Sequence, residues 1–342
     1  MDSKPAYAGS SGRRKFLETI ALAGAASAIG VRSSSAADEP RLETTRIRLP
    51  QHPGICVAPL YIAEALLRAE GFTDVRYVKI PQASQIYTTM EAGETDLSIG
   101  FNAPFVVQVD QGKPIVMLAG IHPGCYELFT TNGIRSVKEL KGRTVSIPEL
   151  NGTNHLFLAI IVSHVGIDPS KDIKWVTQPP AEAIKQLAEG KVDALMGFPP
   201  VPQELRAKKI GQVILNSVTD KPWSQYFCCV VGGNRDFVSK HPVATKRAVR
   251  ALLKANNVCA SKPEETARFL VDRGFTANYD YALQSVRELP YARWSDFSTE
   301  DSVRYFALRL QEAGFIKSSP KTILAKGTDW RFLDELKKEL KA

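Results

Sequence analysis

"EGKVDALMGFPP", Glu189 to Pro200, reads locally as a helix end, a turn and a buried strand. Nearly the same phrase stands earlier as "AGETDLSIGFNAP", Ala92 to Pro104. Gly93 answers Gly190, Asp96 answers Asp193, Gly100 answers Gly197 and Phe101 answers Phe198. A unit of structure that is written twice predicts two similar lobes.

The echo extends backwards from both stretches. In the first copy "TTRIRLPQ" predicts a strand, "PLYIAEALLRAEGF" a helix with Pro59 in its first turn and Gly71 past its end, and "VRYVKIP" a strand. "SQIYTTMEAG" is then a helix closed by Gly93, and "DLSIGF" a buried strand. In the second copy "RTVSIP", "TNHLFLAIIVSHVGI", "IKWVTQP", "AEAIKQLAEG" and "DALMGF" repeat the order β-α-β-α-β. Short apolar runs between helices of ten residues or more indicate parallel strands buried on both faces. The segment from Pro114 to Gly142 carries the chain between lobes; "IGQVILNSV" and "WSQYFCCVVGGNRDF" form the return, and helices fill the remainder.

Of 342 residues 44% are hydrophobic and 23% charged, enough material for two cores. The N-terminal stretch has the layout of a twin-arginine export signal: Arg13-Arg14, a short apolar run from Thr19 to Val31, and small residues to Ala36-Ala37. The run falls short of the ~20 residues of a membrane span. Cleavage after Ala37 would remove five basic and two acidic residues, lowering the formal charge from +8 to +5. The remaining charges are scattered, with no footprint for nucleic acid. The cysteines Cys56, Cys125, Cys228, Cys229 and Cys259 form no CxxC pair and no metal spacing, so neither metal nor other cofactor is expected. Adjacent Cys228 and Cys229 read as small core residues, and a Cys56–Cys125 bridge would require the fold to bring the two together.

The export signal, "APLYIAEALLRAEGF", "AGETDLSIGFNAP", "SVKELKGRTVSIPELNGTNHLFLAIIVSHVGIDPSKDIKWV" and "EAIKQLAEGKVDALMGFPP" follow one another in an order and spacing that resembles the periplasmic substrate-binding proteins of ABC importers for nitrate, taurine and alkanesulfonates. That family includes relatives that bind thiamine-pyrimidine precursors and aromatic acids. The resemblance implies a two-lobe α/β periplasmic-binding-protein fold of type II, each lobe a mostly parallel sheet flanked by helices, with the ligand cleft between lobes. It places an export signal at 1–37, lobe I at 38–130, lobe II at 131–224, and the return to lobe I with C-terminal helices at 225–342. It implies a monomer that captures a small anion by hinge closure in the periplasm and delivers it to an ABC permease, after export by the twin-arginine translocase and trimming by signal peptidase.

Helix N-termini stabilise anions without a buried cation, because their free N–H groups and dipole point at the ligand. Two helix starts face the expected cleft: Gly54 to Ala58, with Cys56 and Val57, and Gly152, Thr153, Asn154 and His155. The echoed strands end on the same rim with Phe101, Asn102 and Ala103 in one copy and Phe198 and Pro199 in the other. Gln82, Tyr126, Trp223 and Tyr226 complete the candidate ligand-binding residues. Arg is absent from these turns and the walls are apolar, which points to an organic acid, a sulfonate or carboxylate with an aromatic body, rather than nitrate. Asp96 and Asp193 each begin a strand at the opposite end of the sheet and read as scaffold. No nucleophile–base set is present, so no catalytic residue is assigned and the protein is not expected to be an enzyme. Two alternatives stay open: a periplasmic ligand sensor, and a pyrimidine-precursor binder or thiamine-pyrimidine-synthase-like enzyme, whose cysteine-rich motif the two cysteines of "YFCC" do not reproduce.

Overall fold

The computed structural model describes residues 39–52 and 54–340. The export segment expected at 1–37 lies outside the described residues. Those from Glu39 to Leu42 carry no helix or strand, and the folded unit begins at Glu43.

The first copy of the repeat forms β1 (Arg46–Gln51), α1 (Ala58–Ala69), β2 (Asp74–Lys79), α2 (Gln85–Glu91) and β3 (Leu97–Phe101). A helix that was not anticipated, α3 (Asn102–Asp110), follows without a break, and then β4 (Ile115–Pro123) and β5 (Glu127–Thr130). The second copy forms β6 (Thr144–Ile147), α4 (Thr153–His164), β7 (Lys174–Thr177), α5 (Pro180–Ala188) and β8 (Ala194–Gly197). After it come α6 (Val201–Ala207), β9 (Gln212–Asn216) and β10 (Phe227–Asn234). The C-terminal helices are α7 (Arg235–Lys240), α8 (Pro242–Ser261), α9 (Pro263–Asp272), α10 (Tyr279–Glu288), α11 (Thr299–Glu312), α12 (Pro320–Gly327) and α13 (Arg331–Glu339).

The strands of the two copies lie in separate sheets, the second copy's in one five-stranded sheet and the first copy's divided between a two-stranded sheet, β1-β2, and a three-stranded sheet, β3-β10-β4. In the second, β7-β6-β8-β5-β9, the repeat strands run parallel and β5 runs antiparallel between β8 and β9. In the first copy, β1 pairs parallel with β2 in one sheet, and β10 runs antiparallel between β3 and β4 in another. The antiparallel strands β5 and β10 are the ones that the chain enters from its crossings. Because β5 already belongs to the five-stranded sheet, the chain changes sheets at Gly124 to Tyr126. The return falls between β9 and β10.

The repeated aspartates explain why the copies share a motif. Asp96 Oδ2 accepts the Arg48 backbone N–H at 2.7 Å, while its own N–H donates to the Arg48 carbonyl at 2.8 Å. In the other lobe Asp193 Oδ2 accepts the Thr144 N–H at 2.8 Å, and its N–H returns to the Thr144 carbonyl at 2.8 Å. Each carboxylate thus ties the start of the third strand of its unit to the first strand. Asp96 also binds the Arg48 guanidinium at 2.6 Å, and its side chain is 3% exposed. Asp193 has only a 3.6 Å approach from Arg143 and a side chain 28% exposed.

The chain's C-terminal helices clasp both lobes. Phe306 of α11 meets Phe101, at the end of β3, and Phe157 of α4, with ring centroids 5.4 Å and 6.1 Å away. Arg206 of α6 is paired with Glu127 at the start of β5 and, at 2.6 Å, with Glu288 of α10. No helix of the described residues is long and apolar enough to cross a membrane.

The two clamps differ in burial, so they are expected to differ in worth. Asp96→Ala should destabilise the protein by about 2–3 kcal/mol and Asp193→Ala by about 1 kcal/mol, since hydrogen bonds to buried charges contribute more than exposed ones. Urea unfolding of the two variants checks the order; equal losses would refute it.

Candidate functional site

The first lobe contributes the turn before α1. Gly54 has φ +156°, and a Cβ there would lie 3.3 Å from the Phe198 ring of the other lobe. Ile55 donates its N–H to the Pro199 carbonyl at 3.1 Å, so the two rims touch. The Tyr291 hydroxyl donates towards the Cys56 carbonyl at 3.0 Å and holds the turn from behind.

The second lobe contributes the start of α4. Gly152 is its N-cap residue and has no side chain to satisfy the free N–H groups of the first turn. A Cβ at Gly152 would lie 2.4 Å from Glu149, so this turn accepts glycine alone without rearrangement. Thr153 Oγ1 donates to Asn154 Oδ1 at 3.0 Å, and Asn154 Nδ2 donates to the Met196 carbonyl at 2.6 Å, locking α4 to the end of β8. Thr153 therefore acts inside the first turn rather than as the cap itself.

Between these walls lies a ring cluster. Tyr126 meets Phe101, Phe157 and Phe198 at 5.2, 5.1 and 5.6 Å between centroids. Burial pushes the Tyr126 hydroxyl well above its ordinary pKa, and a hydrogen bond with Thr153 opposes that shift. The cluster joins both echoed phenylalanines, the first crossing and α4. Beside it, at the ends of β6 and β8, a cavity of about 60 Å³ is bounded by residues including Ser146, Asn154, Met196 and Phe198.

The predicted residues divide accordingly. Phe101, Tyr126 and Phe198 meet in the ring cluster, Pro199 accepts the Ile55 N–H, Cys56 and Val57 lie in the turn before α1, and Gly152, Thr153 and Asn154 lie at the start of α4. Asn102 and Ala103 sit on the first turn of α3 instead of the strand's end, and both are buried. Asn102 Nδ2 donates to the Phe227 carbonyl at 3.3 Å, while its Oδ1 is buried without a protein partner. Trp223 packs against Phe157 at 5.4 Å, and Tyr226 stacks on Tyr305 at 3.9 Å, so both stand behind the ring cluster. Gln82 is exposed in the turn before α2, where its N–H meets Gln85.

His155 faces a different place. It borders a groove of about 800 Å³ with Asn151, Trp175 and Phe315. The Asn151 N–H donates to its Nδ1 at 3.0 Å, and burial pulls its pKa down from 6.5 to about 4. The turn that carries Thr153 and Asn154 into the junction turns the next side chain away.

Sequence spacing missed the cysteines' convergence. The sulfurs of Cys56, Cys125 and Cys229 all lie within 4.8 Å of one another, and Cys228 Sγ is 3.2 Å from Cys125 Sγ. All five cysteines are free and buried. The fold thus meets the condition set for a Cys56–Cys125 approach, yet both remain thiols. The signal was spread over three segments, a turn, a crossing and a return strand, and no local pattern could show it. Hydrogen bonds from Cys125, Cys228 and Cys56 hold Cys229 well below the ordinary thiol range, whereas burial pushes Cys125 up.

Two α/β lobes of matching β-α-β-α-β order, joined by two crossings with a candidate site at their junction, are the architecture of periplasmic binding proteins. The chain belongs to the NMT1-like family, whose model matches residues 41–271. Among curated proteins it is 23% identical over 311 residues to the nitrate/nitrite binding protein NrtA of a Nostoc species, covering 77% of this chain and 70% of that protein. It is 31% identical over 112 residues to the bicarbonate-binding protein CmpA of Synechococcus elongatus, covering 32% of this chain and 24% of CmpA. The fold is shared with the periplasmic nitrate-binding protein NrtA of Synechocystis, at TM-score 0.74 and 18% identity, over 88% of this chain and 90% of that one. It is shared also with the alkanesulfonate-binding protein SsuA of Xanthomonas axonopodis bound to MOPS, at TM-score 0.70 and 15% identity, over 85% and 100%. These relatives are binding proteins, not enzymes.

His155 has a measurable consequence. The unfolded imidazole titrates near 6.5 and the folded one at about 4, so between those values the unfolded state binds the extra proton. The contribution is complete above pH 6.5 and is lost as pH falls through 4, amounting to roughly 2–3 kcal/mol across the window. Denaturant unfolding from pH 7.5 to 4 should show His155→Gln losing less stability than the unsubstituted protein; parallel profiles would refute the assignment.

Proposed function

We propose that this protein is an extracytoplasmic solute-binding protein that captures a small organic anion between its lobes and passes it to an ABC permease. The observation that carries the reading is the meeting of an uncapped helix start, Gly152 to Asn154, with an aromatic wall of Phe101, Tyr126, Phe157 and Phe198 at the junction of two lobes. The free N–H groups and dipole of α4 suit a sulfonate or carboxylate head, and the rings suit an apolar or aromatic body. The names of the relatives support anion capture as a class: nitrate, bicarbonate and alkanesulfonate.

Capture requires the lobes to part. The Ile55–Pro199 hydrogen bond and the Phe198 contacts are made across the junction, so a state that admits solute breaks them and closure restores them. The crossings near Gly124 and between Asn216 and Phe227 are the hinge in this reading. Export as a folded monomer through the twin-arginine route, with cleavage near Ala37, completes it and places the mature protein in the periplasm.

A thermal-shift screen of nitrate, bicarbonate, taurine, alkanesulfonates, arylsulfonates and aromatic carboxylates tests the proposal. The best ligand at 100 times its Kd should stabilise the protein by about 2.7 kcal/mol. Thr153→Ala and Tyr126→Phe should each weaken that ligand by about 10- to 150-fold, the worth of one hydrogen bond to a charged group. Unchanged affinity in both variants would displace the site from this junction. Nitrate as the tightest ligand would overturn the organic-anion reading, and chemical turnover of any ligand would overturn the binding-protein reading.

A further inference from the structure

Three thiols from three distant segments share one buried point of the molecule. Cys56 comes from the turn before α1, Cys125 from the first crossing and Cys229 from β10, and their sulfurs all lie within 4.8 Å of one another. Residue exposures are 5%, 4% and 2%. That spacing brackets the sulfur–sulfur separation that a common metal imposes with bonds of about 2.3 Å.

The backbone is shaped to bring them there. Neighbouring residues of a regular strand point to opposite faces, yet Cys228 and Cys229 both approach Cys125. The register of β10 against β4 shifts between Phe227 and Cys229 and again between Cys229 and Val230, where Cys229 faces His122. Such bulges re-aim a side chain, which is what two adjacent cysteines at one site require. Ser217 Oγ accepts the N–H groups of Cys125 and Tyr126 at 3.0 and 2.8 Å and fixes the crossing. The His122 ring nitrogens reach the carbonyls of Gly124 and Cys56 at 2.8 and 3.2 Å, and Tyr291 holds the Cys56 carbonyl from the other side. The Cys56 and Cys125 segments are thus anchored by neighbouring polar groups, the kind of support that metal ligands receive, and the β10 bulge aims Cys229 at the same point.

We propose that Cys56, Cys125 and Cys229 form a binding site for one thiophilic divalent ion, with zinc as the occupant, held at the point where the turn before α1 meets the first crossing and β10. Three thiolates select zinc over magnesium or calcium, which take oxygen ligands. Each S–H gives its proton to solvent as its S–Zn bond forms, with no change of oxidation state. Three protein ligands leave one coordination position open. The ion would tie the turn before α1 to the first crossing and to β10. This inference does not depend on the solute, because the ion is tested without any anion ligand.

The experiment uses the mature chain, reduced and stripped of metal with a chelator, and titrates it with Co(II) and then Zn(II). Cobalt should bind one equivalent with the near-ultraviolet absorption of thiolate-to-cobalt charge transfer, and zinc should displace it and raise Tm. Cys229→Ser and Cys56→Ser should each lower affinity by about 100-fold or more, while Cys259→Ser, in α8 and outside the trio, should leave the spectrum intact. Circular dichroism shows that each variant is folded; a misfolded Cys229→Ser leaves Cys56→Ser to decide. No charge-transfer band, or full cobalt affinity in a folded Cys56→Ser protein, overturns the proposal. A Cys125–Cys228 disulfide in the intact mass, together with no metal affinity after reduction, would make the cluster a redox pair and overturn it equally.

Discussion

One hydroxyl holds the middle of this molecule together. Ser217 Oγ accepts the backbone N–H groups of Cys125 and Tyr126 and donates to the Tyr126 carbonyl at 2.9 Å. It lies just past β9, at the start of the return, while its three partners lie on the first crossing. The two passages between lobes are thereby stitched into one junction. Gly124 shows how close they run: its φ is +59°, and a Cβ there would meet the Ser217 carbonyl at 2.4 Å. Only glycine fits both the backbone angle and the space.

Much else follows from that junction. With the crossings fixed, β5 and β10 each enter a sheet as its antiparallel strand. Their first residues then fall beside the aromatic cluster: Tyr126 immediately before β5, and Tyr226 immediately before β10. Helix α11 closes the back of the same region through Phe306. The arrangement puts a wall of rings opposite a helix start whose N–H groups have no side-chain cap. Backbone donors with the helix dipole and an apolar wall are thus supplied by different elements, without an arginine on the rim.

The two lobes are equal in frame and unequal in chemistry. Asp96 and Asp193 make the same pair of backbone contacts at the same place in each unit. Past the shared Gly-Phe the copies part. One continues directly into α3 with Asn102 buried in its first turn, and the other runs through Pro199-Pro200 before α6. The cysteines belong to neither copy's shared motif. Cys56, Cys125, Cys228 and Cys229 sit in the turn before α1, the first crossing and β10, and Cys259 sits in α8.

Sequence alone determined the repeat, the β-α-β-α-β order of each unit, the glycines that close the helices and the scaffold role of the two aspartates. The repeat, the element order and the closing glycines are local features, set by hydrophobic period and turn chemistry within a few residues, and the echo marked the aspartates, whose partners lie in the first strand of each unit. Helix α3 escaped because it begins directly at the strand's end and is short and apolar, and α6 because it is short and follows a proline pair, so neither shows a period. The aromatic meeting of Phe101, Tyr126, Phe157 and Phe198 was legible in part, since the two phenylalanines were marked by their echo and Phe157 was not. Tertiary structure decided the rest: that His155 leaves the junction for a separate groove, that the chain changes sheets at Gly124 to Tyr126, and that Cys56, Cys125 and Cys229 share one point. Those outcomes depend on residues tens to more than a hundred positions apart and on a strand bulge opposite His122. No local pattern encodes them, because the energy that brings such groups together comes from packing whole elements.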